Sequence, residues 1–170
     1  DQPALRQLPV HQQRLDAAVC VSDSLRNTFR LSIPTLTIGN AIAPFFENMF
    51  SSPEELLAAK QNRAIYASMP FRGLDLLLRV MGRVRGKVEA DIYSSMQAYQ
   101  APEGECQMLY DLARRNPRVR YHRGVGQREL AEAFRGAAYL AYPSTFIESY
   151  CIVAQEAIAA GAKVITHDMG

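Results

Sequence analysis

From about residue 17 to the end of the chain, short apolar runs alternate with longer stretches in which apolar side chains recur every three or four positions. The short runs, residues 17–21, 36–38, 64–67, 88–93, 119–121, 138–141 and 163–166, have the length and side-chain character of strands. The longer stretches predict helices beginning near Asp23, Pro53, Leu74, Gly104, Gln127 and Ser149. Strand and helix in alternation predict an α/β fold, a parallel sheet flanked by helices. Local chemistry agrees: Ser22 and Asp23 stand where a helix cap belongs, with Leu25 and Phe29 four apart behind them. Pro102-Glu103-Gly104 separates a strand end from a helix carrying Met108, Leu109 and Leu112, which closes with Arg114, Arg115 and Asn116-Pro117.

Composition narrows the function classes. The chain of 170 residues is long enough for one domain with a real core, and 48% hydrophobic with 21% charged residues is an ordinary globular balance. A net charge of +2, with Lys and Arg scattered along the sequence, gives no case for a nucleic-acid partner. Cys20, Cys106 and Cys151 are odd in number and far apart, so neither a disulfide framework nor paired zinc ligands are expected, and a reducing cytoplasm fits best. His11, His122 and His167 have no metal-site spacing. No apolar stretch approaches the roughly 20 residues of a transmembrane helix. Any membrane contact is expected at the surface or through parts outside this sequence.

The segment Pro143-Ser-Thr-Phe-Ile-Glu-Ser-Tyr-Cys-Ile-Val-Ala-Gln-Glu-Ala-Ile-Ala-Ala-Gly161 carries the most chemistry. A buried strand leads to a helix capped by Ser149, whose free N–H groups and dipole favour an anion such as a diphosphate. Glu148 and Glu156, eight positions apart, cannot bind that diphosphate themselves, but they accept hydrogen bonds from neutral hydroxyls. Eight helical residues rise about 12 Å, roughly the span from sugar to ribose in a sugar nucleotide. Glu148 then suits the sugar and Glu156 the ribose. A solvated helix carboxylate is the plainer reading of Glu156.

With its continuation Ala-Ile-Ala-Ala-Gly-Ala-Lys-Val-Ile-Thr, this pattern resembles the donor-binding signature of the retaining glycosyltransferases with two Rossmann-like domains, the GT-B architecture, of the family-four type. The resemblance runs from about residue 16 to the end and implies the C-terminal, donor-binding half of such an enzyme. It implies an interdomain or N-terminal tail over 1–15, a nucleotide-sugar-binding domain over 16–170 cut short at its C-terminal end, and an acceptor domain in the N-terminal part of the same protein. The full-length enzyme is expected to be a hexosyltransferase that moves a sugar from a nucleotide donor to an acceptor glycan or other hydroxyl compound. It would work with retention and without metal or other cofactor, and this half alone would be inactive.

Residue by residue, the resemblance places Arg72 on the diphosphate as a catalytic cation with Glu148, and Gly73 where the backbone approaches phosphate. An additional Arg expected five residues earlier is Ala67 here. Main-chain N–H groups of Ser149, Tyr150 and Cys151 would face sugar and phosphates, with Cys151 where glycine is usual. His122 or Arg123 would flank the base, a surface strand end being the equally plain alternative. Cys151 at a helix start is also readable as a nucleophile, yet no His lies near it in sequence and a small buried cysteine is the commoner outcome. Gly124-Val-Gly126 lacks the rest of a dinucleotide fingerprint, Gly86-Lys87 the rest of a phosphate loop, and no nucleophile elbow is present. Two further classes stay open: a non-hydrolysing nucleotide-sugar epimerase of the same architecture, and a non-catalytic interaction domain that retains the fold.

Overall fold

The computed structural model describes residues 12–97, 100–145 and 147–168. These form two compact units, one of residues 12–41 with 147–152, the other of residues 42–145 with 153–168. The division falls inside the stretch read from sequence as one domain over 16–170. Residues 1–11 of the expected tail lie outside the described residues.

In the first unit β1 (Ala18–Cys20) pairs in parallel with β2 (Thr35–Thr37), in the register Ala18↔Thr35, through the crossover helix α1 (Asp23–Phe29). Ser22 caps α1, its hydroxyl accepting the Leu25 N–H at 3.1 Å, and Asp23 also accepts the Thr37 hydroxyl at 2.7 Å. Asp23, the first helical residue, therefore ties the helix start to the neighbouring strand. Residues 147–151 of this unit are not helical. Tyr150 packs on bare backbone: a Cβ on Gly39 would lie 2.8 Å from its hydroxyl.

The second unit holds α2 (Pro53–Ala59), β3 (Gln61–Ala67), α3 (Leu74–Met81), β4 (Glu89–Tyr93), α4 (Gln107–Arg115), β5 (Val119–Tyr121), α5 (Gln127–Gly136), β6 (Ala137–Tyr142), nearly all of α6 (Ile152–Ala159) and β7 (Lys163–Thr166). The five strands form one parallel sheet in the order β5-β4-β3-β6-β7. Ala64, Ile65 and Tyr66 of central β3 are buried with Ile92 of β4 and Leu140 of β6, and Leu74, Leu77 and Met81 of α3 with Phe134 of α5 complete the core. A strand with helices on both sides is apolar on both faces, so these short runs were readable as strands. The polar start of β3 was not: Gln61 and Arg63 belong to it because they pair with Ala137 and Glu89.

Lys60 joins two helix ends. Its ammonium donates to the Phe134 carbonyl of α5 at 2.9 Å and to the Ala160 carbonyl just past α6 at 2.6 Å, the carbonyls a helix cannot satisfy internally. Burial, then the charge of Arg135, pulls its pKa down to about 8. The helix expected at Gly104 opens as a 3-10 turn and becomes α4 at Gln107. That expected at Ser149 starts three residues later, at Ile152.

Candidate functional site

In a parallel sheet every strand delivers its end to the same edge, and ligands settle in the crevice beyond the carboxyl ends near the point where strand order reverses. Here the order reverses between β3 and β6. A cleft of about 600 Å³ opens at this edge. Ala67, Ser68, Met69 and Arg72 line it from the end of β3, Tyr93, Ser95 and Gln97 from that of β4, and Gly124, Val125, Gly126 and Leu130 from beyond β5.

The loop after β3 is held from beneath. Buried Tyr66 donates its hydroxyl to the Met69 carbonyl at 2.5 Å, and that carbonyl also accepts the Arg72 N–H at 3.0 Å. Arg72 is half-buried and its Nη1 donates to the Tyr142 hydroxyl at the end of β6, 3.2 Å away. Gly73 caps α3 with φ +96°, and an added Cβ would stand 2.1 Å from the Pro143 carbonyl oxygen. Gly73, expected beside a phosphate, has a packing role as well, because the loop after β3 presses on the segment leaving β6. Both contacts fix a cationic side chain at the cleft.

The opposite wall is built on a charged network. Asp91 of β4 is buried and accepts Arg120 Nε at 2.8 Å and an Arg120 terminal nitrogen at 2.9 Å, with His122 Nε2 2.7 Å away. Burial pushes the Asp91 carboxyl up, but hydrogen bonds from Arg120 and His122 and the charges of Arg120 and Arg63 outweigh it and hold it below the usual range. The His122 ring stacks on Tyr93, 4.6 Å between centroids and 12° between planes. His122 therefore braces a wall residue of the cleft. Arg123 sits in a left-handed turn, φ +61°, exposed and next to Gly124, without lining the cleft itself.

Glu156 lies in the second turn of α6 and is 2% exposed. It is not on the cleft wall, and burial alone raises its pKa to about 7. The sequence-based span of eight helical residues needs correction: α6 begins at Ile152, so Glu148 precedes the helix and a helical rise does not set its distance from Glu156. Glu148 and Tyr150 are half-buried, Ser149 is exposed and Cys151 is a half-buried cysteine outside any disulfide; all four belong to the first unit. Ser149 is not the residue before α6, as its reading as cap requires. Of the predicted residues, the structure brings Arg72 to the cleft wall, with Gly73 buried behind it and Arg123 beside the cleft. It adds Ser68, Tyr93, Ser95 and Gln97, whose only sequence signal was their place at strand ends.

No group of His, Cys, Asp and Glu among the described residues is arranged to hold a metal ion. No helix among them is long and apolar enough to cross a membrane. No protein-family model matches the sequence, and no curated protein matches it. Solved structures do match in fold. HepE of Anabaena in complex with UDP-glucose superimposes with a TM-score of 0.74 at 17% identity, over 98% of this chain and 49% of that one. Sucrose-phosphate synthase of Thermosynechococcus elongatus gives 0.70 at 19% identity, over 100% of this chain and 45% of that one. WaaG, a glycosyltransferase involved in lipopolysaccharide biosynthesis, gives 0.61 at 16%, over 87% and 43%. This chain thus spans about half the length of the structures it matches. It has the Rossmann-like fold found in one half of GT-B glycosyltransferases.

Proposed function

We propose that this chain is the donor-binding half of a glycosyltransferase, with the cleft beyond β3, β4 and β5 as its nucleotide-sugar site. The observation that carries the reading is Arg72, a cation fixed at the wall of a cleft on the carboxyl edge of a parallel sheet. The fold is shared with a protein captured with UDP-glucose. A guanidinium there neutralises a diphosphate and the charge that grows on it as the sugar leaves. That is why the proposal needs no metal or other cofactor.

The remaining roles follow the resemblance and are proposed with it. Glu148 takes hydroxyls of the transferred sugar, the main chain at Ser149, Tyr150 and Cys151 takes sugar and phosphates, and Arg123 flanks the base. Glu156 takes the ribose in its ionised form. The full-length protein would be a retaining, hexosyl-transferring enzyme of the cytoplasm, with its acceptor domain in the N-terminal part and an acceptor glycan or other hydroxyl compound as partner. The half described would bind donor and transfer nothing.

A second reading, a domain that keeps the fold without the chemistry, is favoured by Ala67 in place of a second cation and by the burial of Glu156. A thermal-shift screen of UDP, GDP and ADP and their sugars separates the two. The proposal expects one nucleotide series to stabilise the protein; no shift with any would favour the second reading. Incubating full-length protein with the preferred sugar nucleotide and no acceptor tests the epimerase alternative, since an epimer without transfer would point there.

A further inference from the structure

We propose that Ser95 is an acceptor-only corner of the cleft, held in that state by Glu103, and that it selects an N–H or O–H donor from the neutral part of a nucleotide while turning phosphate oxygens away. This deepens the reading of the cleft as a nucleotide site and rests on it.

Ser95 follows β4 and lines the cleft. Its hydroxyl lies 2.5 Å from Oε1 of Glu103, an oxygen that also accepts the Met96 N–H at 3.1 Å. Burial pushes the Glu103 carboxyl up, but hydrogen bonding from Ser95, the nearby Tyr110 hydroxyl and the Met96 amide, with the charge of Arg123, brings it below the usual carboxylate range. The Tyr110 hydroxyl is buried and stands outside normal hydrogen-bond geometry, so Ser95 and Met96 are the contacts that count. An ionised carboxylate only accepts, and the proton between the two oxygens therefore belongs to Ser95.

A hydroxyl has one proton and two lone pairs. The proton of Ser95 is committed to Glu103, and one lone pair accepts the Gln97 N–H at 3.0 Å. One lone pair remains for a ligand. Rotating the proton toward a ligand would break the short bond to Glu103 and leave the carboxylate facing a lone pair, while Gly124 packs close behind, a Cβ there lying 3.0 Å from the Ser95 Cβ. A phosphate oxygen brought to this corner would face a lone pair with a carboxylate behind it. A ring N–H, an exocyclic amine or a ribose hydroxyl would complete the hydrogen bond. Glu103 acts through Ser95 and is a positioning residue.

Calorimetric titration tests this with the one of UDP, GDP and ADP that binds tightest and two modified forms. One has the base donor methylated (3-methyl-UDP, 1-methyl-GDP or N6,N6-dimethyl-ADP), the other carries 2′,3′-O-methyl groups on the ribose. Wild type should lose about tenfold or more in affinity in one arm, which also identifies the donor, and Ser95→Ala should shrink that ratio to about threefold or less. Glu103→Gln keeps an acceptor oxygen and should keep the ratio; Glu103→Ala releases the proton and should lose it. Ratios that are the same in wild type and Ser95→Ala in both arms would overturn the assignment while nucleotide binding stands. Glu103→Ala that lowers the melting temperature yet preserves the ratio would reduce Glu103 to a structural part and overturn its role. No binding by any parent nucleotide would overturn the functional reading and this inference together.

Discussion

Arg72 and Glu156 are both charged residues assigned to one ligand, yet the structure surrounds them in opposite ways. Arg72 sits on a cleft wall, half-buried, with its guanidinium fixed by the Tyr142 hydroxyl. Glu156 is sealed in a helix, and no described group offsets the cost of its burial. The contrast separates two ways of placing charge: one is positioned by a loop that packing has made rigid, the other by a spacing along the chain that fixes height on a helix but not access. The first is ready for an anion. The second is mostly a neutral acid below about pH 7 and becomes a good acceptor only when a ligand or a rise in pH ionises it.

Breaking the rigid loop should have the largest effect. Gly73→Ala forces a Cβ onto the Pro143 carbonyl at a φ that suits glycine, and should cost about 3 kcal/mol or more of stability. Chemical denaturation measures it; a loss under about 1 kcal/mol would mean that the loop is not anchored to β6 as described.

Glu156→Gln comes next. In the unfolded chain Glu156 titrates near 4.5 and in the fold near 7. Below pH 4.5 both states hold the proton. Between 4.5 and 7 the unfolded chain has released a proton that the fold still keeps, so stability falls as pH rises across that window and levels off above it. The amide should abolish this fall and stabilise the protein at pH 8 by up to about 3 kcal/mol. Identical pH profiles for the two proteins would show that Glu156 is solvated.

Lys60→Ala removes the bond between the ends of α5 and α6 and should cost about 2 kcal/mol, read by denaturant unfolding. An unchanged midpoint would make that contact incidental. The smallest effect belongs to ligand linkage at Glu156: if the ionised acid holds the ribose, donor affinity should rise severalfold between pH 6 and pH 8 and lose that rise in Glu156→Gln. A flat profile in wild type would remove Glu156 from the site.

The sheet was legible because its strands are apolar on both faces and its helices amphipathic, and those patterns are local. Helix starts were readable where the cap is a side chain, as at Ser22, or where Pro53 opens α2. The start of α6 was not, since Ser149 has the right chemistry for a cap while the chain stays non-helical through Cys151. Arg72 could be read from a cation before glycine at a strand-to-helix turn. Ser95, Gln97 and Tyr93 could not: they reach the cleft only because β4 lies between β3 and β5 in the sheet, a fact about pairing that no local pattern states. Glu103 shows the same limit, as it acts on a serine eight positions back through a loop.

The central claim is that Arg72 makes this cleft a diphosphate site. Its most direct test is calorimetric titration of wild type and Arg72→Ala with UDP-glucose, GDP-mannose and ADP-glucose, and with the nucleoside of whichever binds. Sugar-nucleotide affinity should fall by about tenfold or more in the variant while nucleoside affinity stays within about twofold. Equal affinities of wild type and variant for the sugar nucleotide, or losses of the same size for nucleoside and sugar nucleotide, would contradict it.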